Sequence, residues 1–326
     1  MAKGGPQGGG TQDGAEKYKN AQDAKHLFDL IGQTVHSKVH SEALEHSNSE
    51  LQGRLSDARF PTRQGVEASH VSDPCELNHE YHTNVTSTVI NPCKHKSEKR
   101  FSEVSGAECD NNKIRGSDKK SNGGACAPFR RLHVCDQNLE QIRPEQITST
   151  HNLLVDVCQA AKFEGQSITQ DYPKYRATYG DSPSQICTML ARSFADIGDI
   201  IRGKDLYRGN KKKNEKDREK ERLQQNLRSI FAKIYGTLPE EKNSAYLKDG
   251  PNYYKLREDW WDANRETVWK ALTCHAGQND KYFRPTCSND TTETDKKCRC
   301  IDFSVPTYFD YVPQYLRWFE EWAEDF

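Results

Sequence analysis

The sequence predicts a mainly α protein, a bundle of long helices stapled by disulfides, with a loop-rich first part and a helical arm ahead of it. Three observations carry this. Over several stretches of the second half, apolar and aromatic residues recur every three or four positions, which gathers them on one face of a helix. Apolar residues make up only 34% of the 326, and the mean hydropathy is −0.97, so core-forming side chain is scarce for a chain of this length. Eleven cysteines offer compensation, since each disulfide typically adds about 2–4 kcal/mol.

The chain divides into three segments, 1–72, 73–180 and 181–326. The first opens on a Gly-rich polar tail. From Ala24 onward Leu27, Ile31, Val35 and Val39 repeat every fourth residue, predicting one amphipathic helix whose narrow apolar stripe lies on a larger body. From Cys75 to Cys135 cysteines fall among Asn, Gly, Ser and Lys without long periodic runs, so short elements and loops are expected there. A helix then carries Leu154, Val157 and Ala161 and is expected to close at Gly165. Ser182, Pro183 and Gln185 suit the start of the next, whose stripe is Leu190, Phe194, Ile197 and Ile201. Leu223, Leu227, Phe231 and Ile234 mark a third helix, and Trp261, Val268 and Leu272, beside Trp260 and Trp269, a fourth. Pro313 opens a fifth in which Tyr315, Leu316, Phe319, Trp322 and Phe326 form an aromatic face expected to pack inward.

Composition excludes some functions. A net charge of −1 gives no global drive towards nucleic acid or anionic membrane, and no apolar run approaches the roughly 20 residues that span a bilayer. The start also lacks the apolar core of a secretory signal, which sits uneasily with so many cysteines. Gly198 to Asp205 has phosphate-loop spacing, but Asp205 stands where such a loop needs Ser or Thr for magnesium, so the stretch reads as a helix end capped by Gly203. His79 and His82 are one residue too close for a zinc-protease helix and read as a polar loop. Cys287, Cys298 and Cys300 lack the spacing of a zinc site and read as disulfides. No catalytic residue, metal site or cofactor is therefore assigned. The sequons at Asn84 and Asn289 matter only in a secretory setting.

The run from Arg208 to Arg222 is the most charged stretch. Glu215 with Arg218, Asp217 with Lys220 and Glu219 with Arg222 fit a solvated helix face. The surplus of positive charge makes Arg208, Lys211, Lys212, Lys213, Lys216, Arg218, Lys220 and Arg222 the candidate site for a sulfated glycan, bound through salt-sensitive attraction. Among the cysteines, Cys158 and Cys187 are expected to pair, lying on apolar helices joined by a loop. Partners for Cys75, Cys93, Cys109, Cys126, Cys135, Cys274, Cys287, Cys298 and Cys300 stay open, and the odd count leaves at least one thiol without an internal mate.

Four stretches carry a resemblance: ACAPFRRLHVCD (Ala125 to Asp136), LARSFADIGDIIRGKDLY (Leu190 to Tyr207), DWWDANRETVWKALTC (Asp259 to Cys274) and FDYVPQYLRWFEEWAEDF (Phe309 to Phe326). Together they resemble the head of the malaria-parasite erythrocyte membrane protein one family, an N-terminal segment followed by an alpha-class Duffy-binding-like domain. The resemblance implies a disulfide-stapled helical adhesin whose first segment is 1–72, whose loop-rich first subdomain is 73–180 and whose helical second subdomain is 181–326. A third subdomain and the membrane anchor would belong to a longer protein. It implies export to the surface of the infected red cell without a conventional signal. The implied partners are a host red-cell or endothelial receptor, a sulfated glycan or a blood-group sugar, in rosetting or cytoadherence by an antigenically variant protein. The alternative is an immune-exposed structural head with adhesion left to downstream domains.

Overall fold

A computed structural model describes residues 17–46, 48–63, 65, 67–86, 91–94, 107–118, 124–179, 185–211 and 217–324. Six long helices dominate them: α1 (Ala24–His46), α2 (Thr150–Tyr179), α3 (Gln185–Arg202), α4 (Glu219–Thr237), α5 (Tyr254–Leu272) and α6 (Gln314–Glu324). Between Cys75 and Cys135 the described residues form turns, short helical turns and a two-stranded ladder, Ala107–Glu108 against Ala127–Pro128. The core lies where α5 packs on α2 and α3, with α1 laid across the outside. The stripes expected of α2 to α5 are all buried there, and Trp260, Trp261 and Trp269 fill the space between helices. Each such aromatic removes a large apolar area from water at roughly 25 cal/mol per Å².

Three expectations from the periodic pattern fail, each for a physical reason. Helix α2 does not stop at Gly165 but runs on to Tyr179, because the glycine serves a close approach: a Cβ there would overlap the carbonyl oxygen of Leu272 on α5. The Leu27 to Val39 stripe is only half-buried: Val39 packs against the core, but the fully buried side of α1 lies elsewhere. Val35 is exposed, and the residues facing the body are Asp29, Leu30, Gly32 and Ala43. Asp29 accepts from Arg284 Nε at 2.7 Å, from the Tyr308 backbone at 2.7 Å and from the Tyr282 hydroxyl at 3.1 Å, while Gly32 lets the helix touch the Tyr308 carbonyl.

The third failure is the direction of α6. Tyr315 and Phe319, half of the expected inward aromatic face, are 52% and 64% exposed; Phe326 lies outside the described residues. The side that is buried holds Gln314, Arg317, Trp318, Glu320 and Glu321. Ion pairs hold it down: Arg130 Nε donates to Glu321 at 2.7 Å, Arg192 to Glu320 at 2.9 Å, and Arg317 to Asp196 at 2.9 Å and Asp199 at 2.6 Å.

Five disulfides staple the body: Cys75–Cys274, Cys93–Cys135, Cys109–Cys126, Cys187–Cys298 and Cys287–Cys300. The expected Cys158–Cys187 bridge is wrong. Cys187 faces the Cys298 loop, and Cys158 is the odd thiol, buried on α2 with its sulfur directed at the Thr267 carbonyl of α5. Cys298 and Cys300 are disulfide-bonded, as expected of a pair without zinc spacing.

Candidate functional site

The structure takes the charged run apart. Lys212, Lys213 and Lys216 lie outside the described residues. Lys211 is exposed. Arg208 donates to Glu221 Oε1 through Nε at 3.0 Å and Nη2 at 2.7 Å, and Arg218 donates to the Gly209 carbonyl at 3.1 Å. Arg222 is half-buried in the first turn of α4.

Lys220 is a correction to the glycan assignment. It is 4% exposed, and its ammonium is clasped by Asp136 and Glu140 from the short helical turn Gln137–Gln141 and the residue before it. The assumed helix-surface pairing of Asp217 with Lys220 fails because α4 begins only at Glu219 and turns Lys220 inward. Burial pulls against the charged ammonium, yet Asp136 and Glu140 hold its pKa above the ordinary lysine value. A lysine so enclosed is out of reach of an external sulfate.

Several other strongly perturbed groups, Asp156 apart, form one buried network that joins the body to α6. Gln314 Nε2 donates to Asp196 at 3.0 Å and to Asp205 at 2.9 Å, and Trp318 Nε1 donates to Asp196 at 3.2 Å. Arg131 grips Asp205, Arg202 bridges Asp199 at 3.0 Å and Glu258 at 2.8 Å, and Arg265 donates to Asp310 at 3.0 and 2.8 Å. Burial alone would raise Asp196, but the guanidiniums of Arg130 and Arg317 hold it at about 2. Shifted carboxylates in a cleft point to catalysis when a substrate can reach them. Here each is closed off by an arginine, so the shifts belong to structural pairing.

The motif with phosphate-loop spacing is the end of α3. Gly203 has φ +77°, and the backbone N–H groups of Lys204 and Asp205 both return to the Asp199 carbonyl at 2.9 and 3.2 Å. Asp205 is spent on Arg131. His82 is an internal clasp for its loop: Nδ1 accepts from the Asn78 backbone at 2.9 Å, which leaves Nε2 to donate to the Ser69 carbonyl at 3.1 Å. Of the two sequons, Asn84 is buried and Asn289 is exposed.

Two surface features went unnoticed in the sequence. One is a cleft of about 330 Å³ between α1 and the start of α6, lined by Val35, Val39, Lys204, Glu258, Tyr311 and Tyr315. The other is a cluster of His36, His40 and Asp262, whose only sequence signal is a pair of histidines four residues apart on α1. No described helix is long and apolar enough to cross a membrane.

Comparison with known proteins agrees with this architecture. The Duffy binding domain model matches residues 124–317, and a model of the N-terminal segments of PfEMP1 matches residues 23–59. The NTS-DBL1-alpha and CIDR-gamma double domain of the PfEMP1 from the Plasmodium falciparum varO strain is 39% identical, with a TM-score of 0.79, over 93% of this chain and 43% of that one. A DBLb domain of a PfEMP1 solved bound to human ICAM-1 is 32% identical, with a TM-score of 0.72, over 91% of this chain and 61% of that one. The Duffy receptor gamma form of Plasmodium knowlesi is 24% identical over 230 residues, 67% of this chain and 17% of that relative. The chain thus spans only a part of each of these proteins. Its helices, its staples and the arm ahead of them agree with these matches: the chain belongs to the Duffy binding domain family, as a PfEMP1 N-terminal segment joined to an alpha-class Duffy-binding-like domain.

Proposed function

We propose that this chain is a host-cell adhesion module, displayed on the outer face of the infected red cell as the head of a longer anchored protein. It binds a red-cell or endothelial receptor, or a glycan, in rosetting or cytoadherence. The carrying observation is the family match over residues 124–317, with a fold shared with a domain that is itself bound to human ICAM-1. The division into an N-terminal segment (1–72), a loop-rich part (73–180) and a helical part (181–326) goes with this reading. The module works as a rigid display: its buried charges are paired with one another, so recognition falls to exposed loops and patches on a stiff frame.

The glycan reading now rests on Arg208, Lys211, Lys212, Lys213, Lys216, Arg218 and Arg222, without Lys220. Reversing Lys211, Lys212 and Lys213 to glutamate is expected to lower the salt needed to elute the domain from heparin. Unchanged retention at low salt removes the glycan from the assignment and leaves a protein receptor. One observation favours a second reading, the immune-exposed structural head: Arg208 and Arg218 are engaged within the chain. Absence of both red-cell and heparin binding by the refolded domain would select it.

A further inference from the structure

We propose that His36, His40 and Asp262 form a binding site for a divalent transition-metal ion of the zinc class, which locks the N-terminal helix α1 onto α5. The two histidines stand one turn apart on α1, their rings stacked with centroids 5.4 Å apart. Both aim at one carboxylate on the facing helix: His36 Nε2 lies 3.1 Å from Asp262 Oδ1, and His40 Nδ1 lies 2.7 Å from Oδ2. All three ligand atoms fall within 4.8 Å of one another. A tetrahedral zinc with bonds of about 2.0–2.1 Å needs its ligand atoms roughly 3.3 Å apart, and the two spacings from the histidines to Asp262, 3.1 and 2.7 Å, lie within about 0.6 Å of that.

The chemistry of the donors suits such an ion. Two imidazoles and a carboxylate are a borderline nitrogen and oxygen set of the kind that zinc, nickel and copper prefer to calcium or magnesium. The Asp262 side chain is fully buried and presents one carboxylate oxygen to each histidine. Arg265, the nearest guanidinium on the same helix face, is engaged by Asp310 and does not neutralise it. No proton need leave: each imidazole moves its N–H to the other ring nitrogen as the metal replaces the hydrogen bond to Asp262. The Tyr311 hydroxyl, 3.3 Å from Asp262 Oδ1, holds that carboxylate from behind, as an outer partner of a metal ligand does. The His40 side chain is 44% exposed and gives the ion its way in, with water as fourth ligand.

The test uses the whole chain, stripped with a chelator and titrated with zinc chloride alone by calorimetry, with cobalt(II) as a spectroscopic probe. One zinc per chain is expected, and His40→Gln and His36→Gln should each weaken it at least tenfold. Cobalt should give a visible d–d band that the variants lose. Independently of any variant, zinc should slow diethylpyrocarbonate modification of His40, mapped by mass spectrometry, at least tenfold. Absence of stoichiometric binding, equal binding by the His36→Gln/His40→Gln double variant, or an unprotected His40 would each overturn the proposal.

Discussion

Asp156 offers a quantitative test of how the core treats charge. It sits on α2, fully buried, with Oδ1 accepting from the Thr83 hydroxyl at 2.6 Å and Oδ2 without a hydrogen-bond partner. Burial pushes its pKa from 3.8 up to about 7, while the bonds from Thr83 and the Asn84 backbone and the nearby Arg63 charge pull the other way. The folded protein therefore holds a proton that the unfolded chain gives up. Between about pH 4 and pH 7 the unfolded state binds fewer protons, so this group's contribution to stability is complete below pH 4 and is lost as pH rises through 7. At about 1.4 kcal/mol per pKa unit, the loss amounts to about 4 kcal/mol. Asparagine has the shape of the protonated acid and cannot ionise. Asp156→Asn should match the parent at pH 4 and be more stable by a few kcal/mol at pH 8, measured by urea unfolding with disulfides intact. A parent-to-variant difference that stays constant across this range would refute the reasoning.

Other outcomes follow from single contacts. Gly165→Ala drives a methyl into the Leu272 carbonyl and should cost about 3 kcal/mol in urea unfolding, although alanine is the better helix former. Lys220→Met removes the buried ammonium between Asp136 and Glu140 and should cost about 3–5 kcal/mol, while heparin retention of the remaining folded protein stays at the parent level. Native protein should resist thiol alkylation and yield one reactive thiol, Cys158, on denaturation without reductant; burial pushes this thiol's pKa up, and non-reduced peptide mapping should join Cys187 to Cys298.

Helix existence was legible because four of the helices bury their apolar faces in one another. Leu190, Phe194, Ile197 and Ile201 are spaced by the same period that puts them in the core. Gly203 was legible as a cap because only its positive φ ends α3 so abruptly. Gly165 was not, since a glycine that admits a neighbouring backbone and one that ends a helix are the same letter. Lys220 misled for a related reason. In a run of alternating charge nothing marks the residue that turns inward, and the two carboxylates that receive it lie 80 and 84 positions upstream. Disulfide pairing was illegible throughout, because the Cys187 to Cys298 link spans 111 residues and depends on the fold that it staples.

The inverted helix α6 explains why the family was readable when the ligand was not. Its buried side meets Arg130 from the first resembling stretch and Asp196, Asp199 and Asp205 from the second, with Arg131 gripping Asp205 behind them, while Asp310 and Tyr311 just ahead of it meet Arg265 and Asp262 of the third. The motifs that identify the family are thus the sides of one enclosed ionic network. Removing a charged partner takes away compensation for a buried charge, at a cost of several kcal/mol, which ties these residues to one another. An apolar periodicity argument cannot see such a face and assigns the aromatic side inward instead. The same enclosure keeps the network away from any receptor. What the chain presents outward, Tyr315, Phe319, Lys211 and the exposed loops, takes no part in that pairing, so nothing in the network's chemistry dictates those residues.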